Sequence, residues 1–325
     1  MMKEIRCPLC GIYSNNIAII EKGYQGKKCE KCNMIFISPR PAEGEIIELY
    51  RKMNSSVITE SNDSAKRLHA RHNLSLIKRY IGSGSILEIG AGAGYFLKES
   101  KRLGFDVCAI ELNDKQARFI NDNLEICCET TPLNEGSFNG KKFDLVYHSD
   151  VISHFYDPTH IFNMINFKLK DKGFVIFETG NYGDVDQRYY SYIPGFQYPF
   201  HLFFFSENSI RKLLDQTGFN LIKIYHYSLL PQLVINRKMG SMVKAAKGII
   251  LKNTIEEKGN IIYDAINGHN PENGLWSKYK QLYVNLYRHL SYQLRYSAGS
   301  IYFRKGDPQT IIVVAQKRGI CQPEI

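Results

Sequence analysis

A chain of 325 residues is long enough for one sizeable α/β core with a smaller unit attached. Its 42 Lys and Arg against 32 Asp and Glu leave a formal charge of +10, which favours a phosphorylated or otherwise anionic partner. No long basic block concentrates that charge, so most of it reads as a solvated mixed surface. No stretch reaches the roughly 20 apolar residues of a membrane span, and residues 1–30 carry charges and cysteines where a signal peptide needs an apolar core; a cytoplasmic protein is expected.

Cys7 and Cys10 stand in Cys-Pro-Leu-Cys-Gly, and Cys29 and Cys32 in Cys-Glu-Lys-Cys-Asn. Two such knuckles can place four thiolates on one tetrahedral ion, so a structural zinc site is expected over residues 1–42, with a redox pair or an iron–sulfur site as the alternatives. With all four positions filled by protein, that zinc is not catalytic. A ribbon this small cannot build its own core without the metal. Cys108, Cys127, Cys128 and Cys321 have no ligand spacing and read as ordinary thiols.

Ser38-Pro39-Arg40-Pro41 closes the ribbon, and residues 43–84 read as a helical linker or cap: one helix from Glu43 to Tyr50, another from Ser64 to Tyr80 ended by Gly82-Ser83-Gly84. His69 and His72 lie on the second helix, whose outer face is basic, and read as surface residues.

Residues 85–97, Ser-Ile-Leu-Glu-Ile-Gly-Ala-Gly-Ala-Gly-Tyr-Phe-Leu, form the organising stretch. Ile86, Leu87 and Ile89 predict a strand, Gly90, Gly92 and Gly94 a turn free of side chains, and Tyr95 to Leu103 an amphipathic helix whose amides face a ligand. Glu88 is an acid inside a strand, where burial demands a partner such as an amine. Val107 to Ile110 predicts a second strand ending at Glu111, where a doubly wound unit presents a carboxylate to a ribose diol. The spacing Gly-x-Gly-x-Gly departs from the Gly-x-Gly-x-x-Gly of dinucleotide sites.

These residues resemble the first two motifs of the class I S-adenosylmethionine-dependent methyltransferases, acid-x-Gly-x-Gly-x-Gly and the acid that takes the ribose hydroxyls. The resemblance implies a Rossmann-like α/β sheet with helices on both faces, S-adenosylmethionine as cofactor, and Glu88, Gly90, Gly92, Gly94 and Glu111 as its binding residues. It also implies that Glu129 or Thr130, after a third strand from Glu125, contacts the adenine amine. The N-terminal arrangement is similar to a group in this family that carries a cysteine-rich ribbon ahead of the cofactor domain and commonly modifies nucleotide-linked sugars or other small biosynthetic intermediates.

Phe143 to His148 predicts a fourth strand, leading into Ser149-Asp150-Val151-Ile152-Ser153-His154-Phe155-Tyr156-Asp157-Pro158 at the carboxyl edge of the sheet. The family often has Glu-His, an apolar residue and Asp-Pro here; this chain has Ser153 in place of the acid and keeps His154, Asp157 and Pro158. His154 is the local base candidate, and His148, nearer the strand, reads as structural. A helix from Phe162 to Leu169, a turn over Lys170 to Gly173 and a strand from Phe174 to Asn181 follow. Tyr189, Tyr190, Tyr192, Tyr198 and Phe200 then predict an aromatic wall for the acceptor, and His201 matches a histidine common at this point in the family. A helix capped by Ser206 and a strand from Phe219 complete residues 85–230 as the core.

Ile311 to Ala315 is the natural final strand, in residues 301–325, which leaves a helical insertion over 231–300 before it. Helices are expected near 240–265 and 276–295, the second with an apolar stripe that needs a partner and could cap the site or form a homodimer. The function expected is methyl transfer to a small, phosphorylated or nucleotide-linked acceptor, with His154 and His201 as proton acceptors for an oxygen nucleophile. An RNA methyltransferase holding the backbone with its ribbon and basic surface, and a noncatalytic scaffold that binds the cofactor, are the other readings. The absence of a concentrated Lys/Arg track makes nucleic acid the weaker partner.

Overall fold

The computed structural model describes residues 2–52, 64–193, 195–234, 275–301 and 304–319. The N-terminal ribbon comprises β1 (Ile17–Glu21), β2 (Tyr24–Lys28) and β3 (Ile35–Ile37), followed by α1 (Glu43–Lys52) and α2 (Ser64–Ile77). The core then runs β4 (Ser85–Ile89), α3 (Tyr95–Arg102), β5 (Asp106–Ile110), α4 (Asp114–Leu124), β6 (Cys127–Glu129), β7 (Phe143–Ser149), α5 (Pro158–Lys168) and β8 (Leu169–Gly180). It continues with β9 (Phe203–Phe204), α6 (Glu207–Gln216), β10 (Phe219–Ser228), α7 (Leu275–Tyr296) and β11 (Gln309–Lys317).

Seven strands form one sheet in the order β10-β11-β8-β7-β4-β5-β6. The five from β8 to β6 are parallel, while β11 enters antiparallel between β10 and β8. Every residue of β4 is buried because helices cover both faces, which is why the strand is a continuous apolar run interrupted only by Glu88. Alternate residues serve different cores. Ile86, Leu145, Ile176 and Ile312 pack with α2, α3 and α4, whereas Leu87, Val146, Val175 and Ile311 pack with α5, α6 and the ribbon.

Local chemistry sets the helix starts. Asn113 accepts from the Gln116 amide at the start of α4, Asp157 from the His160 amide with Pro158 in the first turn of α5, and Ser206 and Ser209 form a reciprocal capping box on α6. The turn expected over Lys170 to Gly173 is absorbed into β8. The partner of Phe143 is Leu169 and that of Leu145 is Phe174, so the intervening residues loop out of the ladder, with Lys172 at φ +58°. The helical insertion precedes the last strand as expected; its α7 lies within the described residues, and the stretch expected near 240–265 lies outside them.

The ribbon joins the core through a second sheet of order β1-β2-β3-β9, whose last strand comes from the segment after β8. Phe36 pairs with Phe203 and Ile35 with Phe204. Arg40 adds a further tie, donating to the Tyr156 carbonyl at 2.9 Å with its guanidinium 3.7 Å from the centre of the Tyr156 ring. Two loops that border the carboxyl edge of the large sheet are therefore held by the cysteine-rich unit. Among the described residues no helix is long and apolar enough to cross a membrane.

Candidate active site

A cavity of about 870 Å³ opens at the carboxyl ends of β4, β5, β7 and β8, toward the upper end of the roughly 300–1,000 Å³ common for small-molecule sites. At one end it is lined by Gly90, Glu111, Leu112, Asn113 and Leu133, at the other by Tyr50, His154, His201, Phe196 and Arg295.

The first end is built by the glycine turn. Gly90 has φ +73°, and a Cβ there would lie 2.6 Å from Val151, so both backbone and packing exclude a side chain. Gly92 has φ +56° and donates its amide to Glu111 Oε2 at 2.7 Å, while Glu111 Oε1 accepts from the Asn113 amide at 2.9 Å. Burial pushes the Glu111 carboxyl above its ordinary value, and the amides of Asn113 and Gly92 work against that shift. Gly94 takes φ +72° at the start of α3. A carboxylate already oriented by amides, beside an apolar slot of Leu112 and Leu133, fits a ribose and its base.

Glu88 is nearly sealed; Oε2 has no hydrogen-bond partner, and burial followed by the Glu111 charge raises the carboxyl well above its usual range. An acid held by the Leu97 amide with one oxygen unpaired is chemically suited to an amine, yet Glu88 does not line the cavity. Neither do Glu129 and Thr130: Thr130 is exposed, and Glu129 accepts from the Phe138 amide. Pro132 and Leu133, a few residues further on, line the cavity instead.

At the other end the two expected histidines come together, with ring centroids 4.4 Å apart. His154 Nδ1 lies 2.8 Å from the Tyr50 hydroxyl and 2.9 Å from the Phe200 carbonyl. The carbonyl can only accept, and the Tyr50 hydroxyl donates to that same carbonyl, so Nδ1 carries the proton; the ring also meets the Asp150 main chain. His201 Nδ1 lies 2.8 Å from Ser153 Oγ, so the residue that replaces the family acid holds the second histidine. Burial, then the neighbouring His154, lowers His201 to about 3, and burial also lowers His154 despite the Phe200 carbonyl. Both rings are therefore neutral near pH 7.

The aromatic wall differs from the expected one. Of the expected residues Phe200 lines the cavity, joined by Tyr50, Tyr182, Phe196 and Phe204, whereas Tyr189, Tyr190 and Tyr198 do not, and the side chain of Tyr192 lies outside those described. Pairing of β9 with β3 draws Tyr198 into the ribbon, fully buried over Gly26, and Tyr190 packs behind Phe196 with ring centroids 5.5 Å apart. His148, as expected, is structural: it is buried among Phe155, Phe162 and Phe177, and burial lowers it to about 3.

His69 and His72 are not surface residues. The C-terminal turns of α7 cover their side of α2, and His72 stacks on Tyr296 at 4.0 Å with its Nε2 3.0 Å from the Tyr227 hydroxyl. His69 Nε2 is 2.6 Å from Glu178 Oε2, which also accepts from Asn73 at 2.7 Å; Oε1 accepts from the Tyr296 hydroxyl at 2.8 Å. This cluster, with Asp150 and Arg295 on its cavity side, was invisible in sequence because its members come from α2, the residue after β7, β8 and α7. The available signals were an acid in an apolar strand, Glu178, and two histidines three residues apart. Asp150 has φ +56° and its amide donates to the Glu178 carbonyl at 2.9 Å. Enclosure, then the Glu178 charge, pushes its carboxyl up to about 6 against the pull of Arg295 and His69.

The four N-terminal thiols are also assembled. Sγ of Cys7, Cys10, Cys29 and Cys32 lie within 4.8 Å of one another, and Cys7 and Cys32 are 3.7 Å apart. A tetrahedral ion with metal–sulfur bonds of about 2.3 Å needs sulfurs roughly 3.8 Å apart, so the donor set fits zinc.

A seven-stranded sheet with one antiparallel insertion, a glycine turn after β4 and an acid after β5 define a class I S-adenosylmethionine-dependent methyltransferase. A model of the methyltransferase domain family matches residues 61–224, half of the chain, and the chain belongs to that family. Solved structures of similar fold include a protein described as a sarcosine dimethylglycine methyltransferase from Galdieria sulphuraria, 14% identical with TM-score 0.47 over 78% of this chain and 85% of that one. An S-adenosylmethionine-dependent methyltransferase from Archaeoglobus fulgidus is 17% identical with TM-score 0.45 over 78% and 94%. Coclaurine N-methyltransferase, bound to N-methylheliamine and S-adenosylhomocysteine, is 13% identical with TM-score 0.45 over 82% and 76%. No curated protein matches the chain in sequence.

Proposed function

We propose that this methyltransferase acts on a small, phosphorylated or nucleotide-linked biosynthetic intermediate, bound at the His154–His201 end of the cavity. The observation that carries the reading is continuity: one cavity joins Glu111 and the glycine turn to a pair of neutral imidazoles and an aromatic wall. S-adenosylmethionine, lying against the side-chain-free turn with its ribose at Glu111, would supply an activated methyl group. The chain's own contribution is orientation, which can lower a barrier by about 7–11 kcal/mol without proton transfer. Tyr50 and Phe200 orient His154 and Ser153 holds His201, so the pair is placed to position a hydroxyl acceptor and to take part in its proton transfer.

In this reading residues 1–42 form a structural zinc ribbon, 43–84 a helical cap, 85–230 and 301–325 the catalytic core, and 231–300 an insertion that closes the acceptor side or pairs two copies. A compartment that keeps thiols reduced, as the cytoplasm does, suits four free metal-binding cysteines. The test is release of S-adenosylhomocysteine on incubation with nucleotide sugars and sugar phosphates, followed by a structure with the product cofactor. Alanine variants of His154 and His201 that transfer methyl at normal rates with the identified acceptor would remove both from the chemistry.

A further inference from the structure

We infer that Arg295, from the last turn of the insertion helix α7, is the anion-binding residue of the acceptor cavity and takes a phosphate or carboxylate group. Its side chain is only 15% exposed, and it lines the cavity with Asp150, Thr179 and Thr310. Nε donates to Gln232 Oε1 at 3.1 Å, and the guanidinium carbon lies 4.8 Å from the ring centre of Tyr292 and 6.0 Å from that of Tyr296. These contacts orient the group without using the terminal nitrogens. The nearest described carboxylate oxygen, Glu178 Oε1, is 3.8 Å from Nη1, beyond hydrogen-bonding range.

Glu178 has nearer partners than Arg295. His69 lies 2.6 Å from it, and Asn73 and Tyr296 donate to it. Arg295 thus keeps a permanent charge and a planar fork of N–H donors at the cavity wall, the geometry that binds phosphate or carboxylate with two parallel hydrogen bonds. Asp150, the other acid facing it, stands at the carboxyl end of β7 and would hold the anion to the Arg295 flank by repulsion. The long excursion between β10 and β11 therefore returns an acceptor-recognition residue to the sheet edge.

The inference depends on methyl transfer only for what the anion belongs to, and its test needs no turnover. Full-length protein saturated with S-adenosylhomocysteine is treated with phenylglyoxal, with and without inorganic phosphate, and modified arginines are located by mass spectrometry. Phosphate should slow modification of Arg295 by about tenfold or more, the equivalent of one charge-assisted hydrogen bond, and leave the exposed Arg102 and Arg188 unchanged. Equal rates with and without phosphate, or an Arg295 that never reacts, would overturn the assignment. Arg295→Gln should lose phosphate binding by a similar factor in calorimetry while Arg295→Lys keeps part of it; retention of full affinity in Arg295→Gln also overturns it. If Arg295→Gln does not fold, wild-type protection decides alone. Failure of S-adenosylhomocysteine to bind, with phosphate protection intact, would instead strike the methyl-transfer reading and leave the anion site standing.

Discussion

Replacing His69 by alanine removes the closest partner of a fully buried carboxylate. Glu178 is held by His69 at 2.6 Å, Asn73 at 2.7 Å and Tyr296 at 2.8 Å. Burial alone would raise Glu178, but the charge and hydrogen bond of His69, then Arg295 and Asn73, outweigh it and bring the carboxyl to about 2. Burial likewise pulls the His69 imidazole down, and Glu178 more than reverses this, leaving it raised. Two hydrogen bonds survive the substitution, so the cost is that of one charge-assisted bond, about 1.5–3 kcal/mol. It stays below the roughly 3–5 kcal/mol of stripping a buried charge of its partner altogether.

The pH dependence has a definite sign. The His69 contribution, from a raised base, is complete below the unfolded value of about 6.5 and fades as pH rises through the higher folded value. The Glu178 contribution, from a lowered acid, is complete above about 4.3 and is lost as pH falls toward 2. Thermal unfolding of wild type and His69→Ala at pH 6 and pH 9 reads this directly. The variant should lose about 3–12 °C at pH 6, at about 2–4 °C per kcal/mol, and the gap should narrow at pH 9. A variant within about 0.5 kcal/mol of wild type at pH 6 would show that the pair carries no stabilising charge interaction.

Glu111→Ala should weaken S-adenosylmethionine binding by about 1.5–3 kcal/mol in calorimetry, and unchanged affinity in a folded variant would place the ribose elsewhere. Cys29→Ser should reduce zinc from one equivalent per chain, and full retention would refute the four-thiolate site. Because β3 carries β9 and its neighbour His201, the same variant should lose methyl transfer more than cofactor affinity. Burial lowers His201 to about 3 while Asp150 is pushed up to about 6, so an acidic limb in kcat/KM near pH 6 belongs to Asp150 and not to His201. Asp150→Asn should abolish that limb and His201→Gln should leave it; the reverse outcome would return the titration to the histidine.

Wherever function is carried by residues adjacent in the chain, it was legible from the sequence. The strand, glycine turn and helix over residues 85–97 need only local geometry, since glycine at positive φ and an apolar run of strand length leave few alternatives. The paired cysteines announce one cluster because two knuckles cannot be satisfied separately. His154 and His201 each lie next to a recognisable local pattern, and their meeting required only that two sheet-edge loops converge.

What the sequence could not determine is which exposed-looking side chains become interior. His69 and His72 sit on a helix whose composition is basic and whose covering surface, α7, lies some 200 residues further on, so their periodicity carries no sign of burial. The same holds for the tyrosines after β8: pairing of a two-residue strand with the distant ribbon takes Tyr198 away from the cavity and brings Phe196 and Phe204 to it beside the expected Phe200. Arg295 is the extreme case, a single cation in an insertion without a motif. Its placement beside Asp150 is decided by packing of α7 against α2, because local propensity sets whether a helix forms while only long-range burial sets which of its faces is inside.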